Sequence, residues 1–289
     1  MKTWLALIRV QQYVKNLFVF FPLFFAGQIV EVNLLQPTLI AFLAFCLIAS
    51  AVYIFNDSRD LSRDREHPTK KLRPLASGEI EVTRALNVAC VFVGLGLLLA
   101  IQISWDVTQL LLVYLIINIA YSLYLKHIPI VDVCVVAMGF WLRLLVGSVS
   151  SGVTLSLWIQ LMTFLLSLFI ALAKRRDDVL LLENEGISTR KVVDGYNLEF
   201  LGLSMMLMGS VTIVCYVMYC LSPEVQSRAG SQNLVITVIF VVIGILRYMQ
   251  LTFVESKSGA PVKILLTDRF LQSVILCWIS CFIYFIYAN

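Results

Sequence analysis

Nine stretches of 15 to 22 mostly apolar residues constrain this chain more than any other feature, at about 16–30, 39–56, 84–103, 107–125, 130–149, 155–173, 200–221, 233–253 and 270–287. In a hydrocarbon layer roughly 30 Å thick, a segment of this kind must satisfy its own backbone, and a single segment does so only as a helix. The expectation is an all-α integral membrane protein with nine transmembrane helices. Hydrophobic residues make up 60% of the sequence and charged residues 14%, against roughly 45–50% and 25% in soluble chains. Soluble enzymes, disordered chains and nucleic-acid binders are thereby excluded. Pro22 interrupts the first stretch, and Gly139, Arg143 and Gly147 punctuate the fifth. No internal repeat divides the chain.

The placement of charge orients it. Of the 22 Lys and Arg residues, 19 fall in the N-terminal segment and the even-numbered loops, Arg228 alone falls on the opposite side, and Arg143 and Arg247 lie within spans. By the positive-inside rule the N-terminus is cytoplasmic and the C-terminus is on the other side. The chain reads as one catalytic domain, 1–289. Residues 1–15, with Trp4, Leu5, Leu7, Ile8 and Tyr13 among basic residues, read as an interfacial amphipathic helix. Two cytoplasmic loops, 56–83 and 174–199, carry most of the ionic groups. The seven cysteines lie in apolar runs without a CxxC pair and read as small buried hydrophobes.

The passage SAVYIFNDSRDLSRDREHPTKKLRPLASGEI joins the second span directly to Asn56, Asp57, Asp60 and Asp64. If the helix continues to Pro68, steps of 100° per residue put all three carboxylates on one face, over about 10 Å of axis. Hard oxygen ligands without Cys point to Mg²⁺ against a diphosphate, and His67 beside Pro68 reads as the helix end. The competing reading is a solvated helix end with surface ion pairs, but three aspartates on one face repel unless a cation lies between them. Arg65, Lys70, Lys71 and Arg73 follow, suited to phosphate oxygens, Arg as a fork and Lys as a point charge.

Other polar groups gather at the same depth. Lys15 and Asn16 begin span one, Lys126 and His127 end span four, and Asp132 opens span five. Span six ends in LAKRRDDVLLLENEG, where Lys174 and Asp178 are i,i+4 partners. Arg143 lies eleven residues beyond Asp132, on the same side of its helix. An arginine within a span costs roughly 2.5–3.5 kcal/mol on insertion scales and is usually paired or lines a wet cavity. A ligand role and a structural interhelical pair are both open for Arg143, and Arg247 reads as structural.

Asn56, Asp57, Asp60 and Asp64 resemble the NDxxDxxxD signature of the UbiA-type superfamily of intramembrane prenyltransferases. That superfamily's second motif, DxxxD, is not matched: Asp177-Asp178 run into Val179 and leucines, with Glu183 out of register. VQQYVKNLFVFFPLF, AVYIFNDSRDLSRDREHPTKKLRP, AYSLYLKH, the Lys174-Arg175 pair and LLTDRFLQ are similar to the decaprenyl-phosphate phosphoribosyltransferase branch over essentially the whole chain.

The resemblance implies a central cavity open to the cytoplasmic side and a bacterial inner-membrane location. It also implies transfer of 5-phosphoribose from phosphoribosyl pyrophosphate to a polyprenyl phosphate. Asp57, Asp60 and Asp64 would hold Mg²⁺, and Lys15, Asn16, Asn56, Arg65, Lys70, Arg73, Tyr121, Lys126, Arg143, Lys174 and Arg175 would line the substrates. The lipid being a monophosphate, a second metal motif is not required. Two alternatives are an aromatic prenyltransferase with a prenyl diphosphate donor and a lipid transporter or flippase. Transport would favour an internal repeat and polar residues along several spans, whereas here they crowd one side. Oligomeric state is left open, a homo-oligomer included.

Overall fold

The computed structural model describes residues 2–66, 69–185, 191–229, 232–255 and 261–287; His67 and Pro68 lie outside them. Among the described residues all regular structure is helical: α1 (Lys2–Leu7), a 3-10 helix (Val10–Phe20), α2 (Phe21–Ala26), α3 (Val32–Arg59), α4 (Leu61–Glu66), α5 (Val82–Ile103), α6 (Trp105–Leu123), α7 (Val131–Ser151), α8 (Leu157–Glu185), α9 (Leu198–Leu221), α10 (Pro223–Ala229), α11 (Val238–Phe253), α12 (Pro261–Thr267) and α13 (Arg269–Tyr287). Eight helices among the described residues are long and apolar enough to cross a membrane: α3, α5 to α9, α11 with the turn ahead of it, and α13.

The first expected span is built differently. Its residues form the 3-10 helix and then α2, which restarts with Pro22 in its first turn and stops at Gly27, φ 75°. Proline lacks the N–H that an interior helical position must donate, and glycine adopts the left-handed geometry at no side-chain cost. Three of the longer helices, α6, α9 and α13, start where the sequence supplies a side-chain cap, whereas α3, α5, α7 and α11 start without one. Ser104 Oγ accepts Val107 N–H at 3.1 Å before α6, Asn197 Oδ1 accepts Phe200 N–H at 2.7 Å before α9, and Asp268 Oδ1 accepts Leu271 N–H at 2.7 Å before α13. Each such cap is worth about 1 kcal/mol.

The chain divides into two compact units, one of Met1–Val135 with Gly139–Thr154 and one of Val136–Met138 with Leu155–Asn289. In the first, α5, α6 and the 3-10 helix pack on α3. Small residues set the spacing: a β-carbon on Gly96 would lie 2.7 Å from Ile48 Cγ1 and 3.1 Å from the Ala44 carbonyl. Close backbone approach of this kind drives helix association in lipid, where apolar burial gives no gain over the solvent. The N-terminal stretch is two elements rather than one helix. Arg9, at φ 54°, separates α1 from the 3-10 helix, and Leu7 is buried with Ala51, Ile54, Leu75 and Ile80 while Trp4 and Leu5 remain exposed.

In the second unit α8 packs on α9 and α11 on α13. The Tyr216 hydroxyl accepts Trp278 Nε1–H at 2.7 Å and pairs with the Thr237 hydroxyl at 2.7 Å. Arg247 is structural here, as its sequence context suggests: it meets Asp268 at 2.6 Å, Glu255 at 3.0 Å and Gln250 at 2.7 Å. The cysteines are all unpaired, but Cys90 and Cys277 are exposed rather than buried.

Candidate active site

The acidic motif sits where α3 ends, and that end differs from the sequence expectation. The helix stops at Arg59 instead of running to Pro68; Asp60 leaves helical geometry (φ −93°, ψ 8°) and α4 begins at Leu61. Ser58 Oγ donates to the Phe55 carbonyl at 2.7 Å, a local bond that competes with helix continuation. The turn is only loosened, since Asp60 N–H still reaches the Asn56 carbonyl at 3.0 Å and Asp64 N–H the Asp60 carbonyl at 2.9 Å. Asp57 and Asp64 therefore stay on one side.

Each carboxylate faces a cation. Arg9 Nη2 donates to Asp57 Oδ1 at 2.5 Å, and Arg73 Nη1 donates to the same oxygen at 3.0 Å and to Asp64 Oδ2 at 2.6 Å. Asp60 Oδ1 accepts Lys126 Nζ at 2.6 Å, and Asp60 Oδ2 accepts Asn56 Nδ2 at 3.1 Å. The Arg9 guanidinium also lies over the Tyr53 ring, 5.0 Å from its centroid. The Asp57 and Asp64 side chains are 5% and 6% exposed, those of Arg9 and Arg73 23% and 28%. The carboxylates thus form a floor and the guanidiniums the layer above it.

The three carboxylates do not surround a common point, and no group of three His, Cys, Asp or Glu side chains among the described residues does. Their chemistry nonetheless fits magnesium. All are hard oxygen donors, and one nitrogen, Arg73 Nη1, touches Asp57 and Asp64 at once, so these two carboxylates are near enough to share one cation.

A second cluster in the same unit surrounds Arg143, which is buried on α7. Its Nε donates to Asn16 Oδ1 at 2.9 Å, Nη1 to the Gly139 carbonyl at 2.6 Å and Nη2 to the Tyr114 hydroxyl at 3.3 Å. The rings of Phe45, Tyr114 and Phe140 lie 4.6 to 5.4 Å from its central carbon. Asn16 passes the contact on, its Nδ2 donating to Cys46 Sγ at 3.1 Å. Of the two readings open in the sequence, this geometry favours a structural tether that fixes Asn16. Lys15 stands beside it, outside the eight crossing helices. Desolvation, then the charges of Arg143 and Arg9, pushes its ammonium down from 10.5 to about 8.

The remaining candidates are dispersed. Arg65 is exposed, and Lys70 and Tyr121 are partly buried. In the second unit Lys174 is exposed, whereas Arg175 is buried and committed to Asp178, three residues on rather than four. Arg176 donates to the Thr252 carbonyl at 2.8 Å and lies over Phe253, 4.5 Å from the ring centroid. Sequence reasoning missed Arg9, visible only as a charge interrupting an apolar run, and Tyr114, one of many aromatics in a span; neither carries a local signal.

Residues 16–274 match the UbiA prenyltransferase family, and the chain belongs to that family. Within it, the chain is similar to decaprenyl-phosphate phosphoribosyltransferases. One from Mycolicibacterium smegmatis is 33% identical over 287 residues, covering 94% of this chain and 89% of that protein. One from Mycobacterium tuberculosis is 35% identical over 277 residues, covering 94% and 90%. The solved structure of a UbiA homolog from Archaeoglobus fulgidus bound to GPP and Mg²⁺ shares the fold, with a TM-score of 0.74 at 20% identity over 97% of this chain and 99% of that one.

Proposed function

We propose that this chain transfers the 5-phosphoribosyl group of phosphoribosyl pyrophosphate to a polyprenyl phosphate and releases pyrophosphate. The observation that carries this is full-length similarity, at 33–35% identity, to decaprenyl-phosphate phosphoribosyltransferases. The acid and base cluster at the end of α3 supports it. In the reaction the bond from the ribose anomeric carbon to the pyrophosphate oxygen breaks, and a bond from that carbon to a lipid phosphate oxygen forms on the opposite face. The acceptor is already an oxyanion and needs positioning rather than a general base.

Asp57, Asp60 and Asp64 would hold magnesium, which supplies charge neutralisation at the departing pyrophosphate. Arg9 and Lys126, each in contact with one of these aspartates, and Arg73, in contact with two, are then placed to bind the diphosphate. Asn56 orients Asp60. Lys15 and the exposed Lys174 are assigned to the two monophosphates, one on ribose C5 and one on the lipid, and Arg143 to holding the segment that carries Lys15. We assign the chain a multi-pass location in a bacterial inner membrane, supported by its long apolar helices and its bacterial relatives. A cytoplasmic N-terminus and site are assigned with it, supported by the bias of 19 Lys and Arg to one side when the first apolar stretch is counted as a crossing segment.

Binding separates this reading from aromatic prenyl transfer. Phosphoribosyl pyrophosphate with Mg²⁺ is expected to raise the melting temperature of the purified protein more than geranyl or farnesyl diphosphate with Mg²⁺. The reverse ranking would favour the prenyltransferase alternative.

A further inference from the structure

The Arg73 guanidinium occupies a particular place. A single nitrogen, Nη1, lies 3.0 Å from Asp57 Oδ1 and 2.6 Å from Asp64 Oδ2, bridging two carboxylates that belong to different helices, α3 and α4. Three carboxylates in this cluster meet three cations, Arg9, Arg73 and Lys126, so their formal charges cancel. The guanidiniums are also the more exposed members of their pairs, so a cation approaching the buried carboxylates meets them first.

We propose that Arg73 is a built-in surrogate cation: it holds Asp57 and Asp64 at bridging distance, competes with the divalent metal for that place, and is handed to the diphosphate when the metal enters. The inference rests on the reading of Asp57, Asp60 and Asp64 as metal ligands of a diphosphate-using transferase. A divalent cation of magnesium's size needs oxygens at about 2.0–2.1 Å and cannot share the position with an N–H donor. Two positive groups on one pair of carboxylates also repel, so the metal must expel Arg73 from between them. The expelled guanidinium then needs an anion, and a diphosphate suits its forked donors. Metal and diphosphate therefore bind with positive coupling: metal alone strands a guanidinium, and diphosphate alone finds the cations already paired. Asp57 has a further partner in Arg9 and Asp60 has its own in Lys126, so the competition is strongest at the Asp57–Asp64 bridge.

The test uses Mn²⁺, which shares the preference for carboxylate oxygen and is counted by electron paramagnetic resonance. It is done on the purified full-length protein in detergent, without any phosphate ligand. Arg73→Gln is expected to bind Mn²⁺ about tenfold more tightly than the wild type. Arg63→Gln, which removes the same charge from an exposed position on α4, is expected to stay within about twofold, because surface charges are screened. In EDTA, Arg73→Gln is expected to melt below the wild type, and Mn²⁺ to raise its melting temperature by more. Should Arg73→Gln fail to fold, Arg73→Met keeps an apolar stem and removes the competing charge, and tighter Mn²⁺ binding than wild type is again expected. Unchanged or weaker Mn²⁺ binding in the folded variant would overturn the proposal, as would an equal gain in Arg63→Gln. No donor or lipid enters this experiment, so its failure leaves the transferase reading intact, and a failed transferase assay does not decide it.

Discussion

Gly147 of α7 lies against the carbonyl of Val19 so closely that a β-carbon at residue 147 would sit 2.0 Å from that oxygen. The contact joins α7, which carries Arg143, to the 3-10 helix that carries Lys15 and Asn16. Arg143 and Asn16 meet through a 2.9 Å hydrogen bond one turn away from this approach.

Gly147→Ala is therefore expected to destabilise the protein by about 1–3 kcal/mol, since backbone rather than a flexible side chain must move. Gly94→Ala in α5 is the control: nothing lies within 4 Å of a β-carbon there. It is expected to be neutral or up to about 1 kcal/mol stabilising, because alanine favours the helix. Melting curves of the two variants in the same detergent check the pair, and equal losses would contradict the close approach.

Asp57→Asn and Asp64→Asn are expected to lower turnover at least about 10²-fold. They act on stability as well, because each leaves Arg73 with one carboxylate rather than two. Turnover, Mn²⁺ binding and a melting curve measured together separate the effects: a folded variant with normal turnover would remove that carboxylate from the metal set.

Much of this was legible in the sequence. The apolar runs identified the eight long helices, because the length needed to cross lipid leaves little freedom. The acidic motif was legible as well, its residues being close along the chain. Arg73 and Lys126 were legible as site residues but not as ion-pair partners of particular aspartates, and Arg9 was not legible at all. Arg9 and Lys126 lie 48 and 66 positions from the aspartates they contact, and Arg73 lies 9 and 16 positions from its two, so the pairing is set by tertiary packing. Asn16, 127 positions from Arg143, is the extreme case. The break at Asp60 escaped notice because the 3.6-residue pattern persists through it, and the 3-10 geometry of Val10–Phe20 because short-range propensities do not distinguish it from an α-helix.

The depressed ammonium of Lys15 sets a pH dependence with opposite signs for folding and binding. Its folded pKa, about 8, lies below the unfolded 10.5, so between these values the unfolded chain holds a proton that the folded one lacks. Lys15 therefore adds stability as pH rises through that window, present in full above 10.5 and lost as pH falls through about 8. A phosphate held by Lys15 needs the proton. Its affinity is expected to be full below about pH 8 and to weaken by up to about tenfold per unit above it. Titrating the affinity for each phosphate substrate from about pH 7 to about pH 9, in the wild type and in Lys15→Met, checks this. A dependence of equal size in both proteins would clear Lys15 of phosphate binding. Tyr13, two residues away, does not intrude, since burial raises its pKa from 10.0.

Lys174 and Arg175 are neighbours with different expected roles. Arg175 is buried and bound to Asp178, so Arg175→Ala strands a carboxylate and is expected to cost about 3 kcal/mol of stability. Lys174 is exposed, and Lys174→Ala is expected to spare stability and raise KM for the polyprenyl phosphate about 10-fold or more, as for a lost charge-assisted contact. A loss of donor affinity with an unchanged lipid KM would assign Lys174 to the ribose 5-phosphate instead.

The most direct measurement is the mass of the lipid product formed when purified protein is given phosphoribosyl pyrophosphate, a polyprenyl phosphate and Mg²⁺. The expected product is the polyprenyl phosphate enlarged by one phosphoribosyl group, accompanied by one equivalent of pyrophosphate. No such product from folded protein, together with prenylation of an aromatic acceptor when a prenyl diphosphate is supplied, would contradict it.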